Sequence, residues 1–156
     1  MSSSIISRRQ VSKWVLPLAA LCLTLVAPVR SARADNDISG TLSTHLVSCA
    51  TLCTSGTITG TLSGAFDYTM ATMTATSDPN VFILTGSFVV TTTSGTVTAN
   101  DNTIWDVSTG VFTDIGQFTG GTGSYNGAHG KITIIGSFDI VAGTGQSNYT
   151  GKLVSN

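Results

Sequence analysis

The stretch Lys131-Ile132-Thr133-Ile134-Ile135-Gly136-Ser137-Phe138-Asp139-Ile140 decides the fold. Ile132, Ile134, Phe138 and Ile140 share one parity, and Lys131, Thr133, Ser137 and Asp139 share the other. Successive residues of a strand face opposite sides, so this reads as a half-buried strand with an apolar inner face. Gly136 stands on the apolar parity. A glycine there leaves room for a bulky side chain opposite and permits the coiling that a closing sheet needs.

The same arrangement, apolar-x-Gly-x-apolar, recurs along the chain. It appears as Ile38-x-Gly40-x-Leu42, Ile58-x-Gly60-x-Leu62, Leu62-x-Gly64-x-Phe66, Leu84-x-Gly86-x-Phe88 and Tyr149-x-Gly151-x-Leu153. The intervals are irregular, which excludes a solenoid of fixed period. The pattern predicts an all-β domain, a closed antiparallel β-barrel of about eight strands. Strands are expected near 36–46, 56–75, 80–93, 95–100, 103–108, 111–119, 130–142 and 147–154. Ser77-Asp78-Pro79-Asn80, Asn100-Asp101-Asn102 and Ser108-Thr109-Gly110 read as turns.

Composition agrees. All 17 glycines fall after residue 34, and that part contains no Glu and no Arg. Straight-chain helix formers are thus scarce, while Thr, Val, Ile and aromatics favour strands. Residues 35–156 hold Lys131 and Lys152 against eight acidic residues, a net charge of −6. Such a surface repels phosphate backbones and anionic membranes, which excludes nucleic acid as a partner class.

Residues 1–34 differ in kind. Arg8, Arg9 and Lys13 precede an apolar run from Trp14 to Val29, followed by Ala32-Arg33-Ala34. That order reads as an export signal cleaved after Ala34, with residues 35–156 as the single mature domain. Pro17 and Pro28 interrupt the run, which is short for a stable membrane span. Ser7-Arg8-Arg9-Gln10-Val11-Ser12-Lys13 resembles the twin-arginine motif but lacks its large apolar pair, so that route and the general secretory route both stay open. The expected address is periplasmic or secreted.

A glycine-dense segment precedes the opening strand: Phe118-Thr119-Gly120-Gly121-Thr122-Gly123-Ser124-Tyr125-Asn126-Gly127-Ala128-His129-Gly130. It resembles the Gly-Gly-Thr-Gly-x-aromatic-x-Gly-Ala-x-Gly motif of the allene oxide cyclase and dirigent superfamily, whose members are eight-stranded antiparallel barrels. The resemblance covers roughly Trp105 to Leu153. It implies the barrel and not the activity, because those families use pocket Glu or Arg residues that residues 35–156 lack.

Candidate sites are few. Cys49 and Cys53, four apart, come within bridging distance in a turn, and export favours a disulfide. His45 extends the pair to a His-x3-Cys-x3-Cys face, the alternative metal reading. Tyr125 and His129 are candidates for a ligand-contacting pair at a pocket mouth, against the simpler reading of a packing Tyr and a loop His. Trp105 reads as a plug at a barrel end, and with Tyr68 it is a candidate ligand contact. Asp67 and Asp139 fall on the outward parity. Asp101, Asn102 and Asp106 offer oxygens to a hard cation, but turn propensity explains them equally. No nucleophile elbow, phosphate loop or cofactor motif occurs. The sequence therefore favours a non-enzymatic barrel that holds a small apolar ligand or displays a partner surface. The alternatives are an isomerase or cyclase steering an unsaturated substrate in the lumen, and an envelope or surface protein without ligand.

Overall fold

A computed structural model describes residues 34–155. The expected export segment, apart from Ala34, lies outside them. Eight strands follow one another: β1 (Ala34–Val47), β2 (Cys53–Gly60), β3 (Gly64–Ala75), β4 (Val81–Thr92), β5 (Gly95–Asp106), β6 (Val111–Gly121), β7 (His129–Asp139) and β8 (Thr144–Ser155). Each pairs antiparallel with the next, and β8 pairs with β1, so the sheet closes into a barrel. A single 3-10 turn, Gly123–Tyr125, joins β6 to β7.

Three expectations about local structure are corrected. The expected strand 56–75 is two strands, β2 and β3, joined by a turn at 61–63. Gly60 takes a φ of 105° there, a backbone state that residues with a Cβ rarely adopt. The apolar-glycine alternation runs through the turn without a break, so period alone did not reveal it. Conversely, Asn100-Asp101-Asn102 is not a turn but the middle of the continuous strand β5. Asp101 points into the lumen and is 2% exposed. Ile140, placed on the inner parity, lies beyond the end of β7 and is exposed.

The inward glycines do what the pattern predicts. Along one row of register partners the lumen meets Met70, Gly86, Asp101, Gly116, Ile132, Gly151 and Ile38 in turn. Side chain and glycine alternate around the barrel, the large-and-small arrangement by which a small barrel fills its interior. A Cβ on Gly116 would fall 2.7 Å from Ile132 Cγ2 and 2.9 Å from the Phe88 ring.

The barrel has two unlike ends. The turns at 61–63, 93–94 and 122–128 close one of them. Behind these turns Leu62, Val90, Val97, Phe118, Ala128 and Leu153 form a buried core with Phe88 at its centre. Tyr149 bolts this end shut. Its phenol donates to the Leu62 carbonyl at 3.2 Å and accepts from the Leu62 N–H at 2.9 Å. The segments 48–52, 76–80, 107–110 and 140–143 ring the other end. There a smaller cluster of Leu84, Trp105 and Phe138 packs with Leu52, Phe82 and Phe112.

Candidate ligand cavity and its buried acids

A cavity of about 90 Å³ enters the lumen from the second end. Its walls are mostly apolar: Leu42, Leu52, Phe66, Leu84, Trp105 and Phe112 contribute, with Ile134 and Phe138. Thr44, Thr54, Thr103, Asp114, Ser147 and the Tyr68 side chain supply the polar atoms. An apolar recess with a few convergent polar groups is the usual form of a small-molecule site.

Register explains how the polar groups converge. On β5 the inward parity reads Val97, Ala99, Asp101, Thr103, Trp105, and on β6 it reads Phe112, Asp114, Gly116, Phe118. Asp114 lies opposite Thr103, and Asp101 lies opposite Gly116 on one side and Gly86 on the other. Two glycines therefore flank the Asp101 carboxylate and leave it the space of their missing side chains. The same space turns Tyr68 toward it. The Tyr68 ring lies over Gly86, and a Cβ there would sit 2.7 Å from the phenol oxygen.

This group is poorly satisfied. Thr103 donates to Asp101 Oδ2 at 3.3 Å. Tyr68 Oη is buried without a hydrogen-bond partner, and Asp101 Oδ1 and Asp114 Oδ1 have none beyond the bond that one carboxyl, when protonated, donates to the other. Burial pushes the Asp114 carboxyl up to about 9, and the neighbouring Asp101 charge adds to the rise. Burial also raises Asp101, opposed by hydrogen bonds from Asp114, Thr103 and the Gly86 amide. The Tyr68 phenol is raised by burial and by both aspartates. The two carboxyl groups thus share a proton at neutral pH, because two adjacent charges in an apolar lumen repel each other and are poorly solvated.

The residues singled out in the sequence scatter. Tyr68 and Trp105 line the cavity. Trp105 stands at its rim, edge-on to Phe138 at 6.4 Å between ring centres, and its indole donates to the Gly110 carbonyl at 3.3 Å. Tyr125 and His129 do not line this cavity. They lie at the closed end, where the Tyr125 ring packs against the core and His129 is exposed. Asp67 and Asp139 face outward: Asp67 accepts from the Ser55 hydroxyl, and Asp139 accepts from the Val141 and Ala142 amides. Asp101, Asn102 and Asp106 do not converge, since Asn102 faces outward and Asp106 caps the turn at Ser108. Among the described residues, no three His, Cys, Asp or Glu side chains group to hold a metal ion. Cys49 and Cys53 are joined as a disulfide, with Cα atoms 6.0 Å apart. Their loop presents Leu52 to the cavity.

Asp114 was not singled out in the sequence. The signal was parity: it falls on the same face of its strand as Phe112 and Phe118. Among the described residues, no helix is long and apolar enough to cross a membrane. The chain matches no protein-family model and no curated protein.

Proposed function

We propose that this protein is an exported barrel that binds one small, largely apolar molecule in its open-ended lumen. The cavity walled by Leu42, Leu84, Trp105, Phe112 and Ile134 carries this reading, because eight-stranded barrels otherwise fill with side chains. Export rests on the order of residues 1–34 and on the disulfide, which persists in oxidising compartments. Kinship with the allene oxide cyclase and dirigent barrels rests on the glycine segment 118–130 and the eight-stranded closure. The test is methyl NMR with toluene as probe. Shifts are expected at Leu42, Leu52, Leu84 and Ile134, and none at Leu62 or Leu153 of the closed end. An unmoved spectrum overturns the reading.

One observation favours a second reading, an isomerase or cyclase. Asp114, pushed up to about 9, is a neutral acid at pH 7 and can donate a proton to a bound substrate. Turnover of an unsaturated epoxide that is lost in Asp114→Asn supports it. Equal turnover by both proteins removes it.

A further inference from the structure

Two buried polar groups, Asp114 and Tyr68, stand on the cavity wall, with Asp101 as the neighbour of Asp114, and their chemistry selects what fills it. Asp114 is 6% exposed and Asp101 2% exposed; beyond each other the two Oδ1 atoms have no partner, and the nearby Tyr68 phenol has none. Once both carboxyls are ionised neither can donate to the other, so the partner that the ionised pair lacks is a donor. Among the described residues, no Lys or His reaches these acids. Lys131 and Lys152 lie on the outer face, Lys152 beside Asp37 at 3.6 Å, and His45 and His129 are exposed. Acids withdrawn this far from water are paired in most proteins.

We infer that the occupant is an organic cation, an amphipathic amine whose ammonium seats against Asp114 and Tyr68, with Asp101 behind as the second negative charge, while its apolar body lies along the cavity wall. The inference rests on the ligand-binding reading above and names the class of ligand. Three further features agree. Five aromatic rings, Phe66, Tyr68, Trp105, Phe112 and Phe138, line the cavity, and ring faces attract cations. An ammonium brings donors to the Asp114 carboxyl and the Tyr68 phenol oxygen, which both face the cavity. The net charge of −6 over residues 35–156 draws cations toward the barrel. A bare metal ion fits less well, since it would leave the apolar walls unfilled and finds only two carboxylates.

Binding also moves a proton. The titratable groups around Asp114 are Asp101 on β5 and Tyr68 on β3; β1, β2, β4, β7 and β8 present Leu42, Thr54, Leu84, Ile134 and Ser147. An arriving cation favours the ionised pair, so the shared proton leaves as the amine enters.

The experiment is calorimetric titration of the purified protein at pH 7 with three probes of like shape: 2-phenylethylamine, 2-phenylethanol and 3-phenylpropionate. The amine is expected to bind at least about tenfold more tightly than the alcohol. The carboxylate should not bind. Amine binding should release protons, seen as heats that differ between phosphate and Tris buffers. Asp114→Asn and Asp101→Asn, each checked for strand content by circular dichroism, should bring the amine down to the alcohol's affinity. An alcohol that binds as well as the amine overturns the cation inference and leaves the ligand cavity standing. Binding of none of the three overturns both.

Discussion

The Tyr68 ring crosses directly above Gly86, so that a Cβ at position 86 would lie 2.6 Å from Tyr68 Cε2. The two residues are on neighbouring strands, one register step apart: Met70 is the partner of Gly86, and Phe88 is the partner of Tyr68. The relationship turns a phenol across a strand and delivers it to the aspartates of β5 and β6.

Gly86→Ala therefore displaces Tyr68 and meets the Thr69 carbonyl at 2.7 Å as well. Overpacking of this kind costs about 1–3 kcal/mol. The expected outcome is a lower denaturation midpoint together with lost ligand affinity. Tyr68→Phe separates the two effects, since it removes the orphaned hydroxyl, keeps the ring and should leave stability nearly unchanged.

The buried acids make stability fall as pH rises. Asp114 has a folded value near 9, and unfolded it returns to the ordinary range near 3.8. Between those values the folded state holds a proton that the unfolded state has lost. Unfolding free energy then declines with pH, by at most about 1.4 kcal/mol per pH unit for one proton. The contribution is complete below pH 4 and gone above pH 9. Asp101 is raised as well and acts in the same direction. Urea midpoints at pH 5, 7 and 9 should fall in the wild type and fall less in Asp114→Asn, which should be the more stable protein at pH 8. A flat wild-type profile would mean that the pair is solvated.

Tyr149→Phe tests the closed end. It removes the hydroxyl that serves both Leu62 backbone groups and leaves them buried without partners. The loss should be about 1–3 kcal/mol. Binding in the cavity should be unaffected, because Tyr149 does not line it. Thermal melts and a ligand titration on one sample check both halves.

The disulfide acts on the cavity more than on the fold. The loop that it closes is only four residues of sequence separation, which gives about 2 kcal/mol by chain entropy. Yet that loop carries Leu52, whose carbonyl accepts from the Met70 amide at 2.9 Å and whose side chain walls the cavity. The paired substitution Cys49→Ala and Cys53→Ala should lower stability by about that amount and increase ligand dissociation further. Denaturation midpoints and dissociation rates, with and without reductant on the wild type, measure the two.

The sequence by itself determined the sheet. Period-two alternation, inner-face glycines and the absence of Glu and Arg after residue 34 are local properties, and they suffice for an all-β closed antiparallel sheet; the strand count agreed only because the missed turn at 61–63 offset the misplaced turn at 100–102. What they did not place is the site. Asn100-Asp101-Asn102 has the composition of a turn, and an isolated strand would avoid an aspartate on its apolar face. Only the closed barrel sets Asp101 between Gly86 and Gly116, from strands before and after its own, and sets Asp114 diagonally beside it. Likewise Tyr125 and His129 are near the barrel end by sequence, but the direction of β6 and β7 decides which end. Burial of an acid is a property of the neighbours that surround it, and those neighbours are fixed by register and closure, not by the residues beside it in the chain.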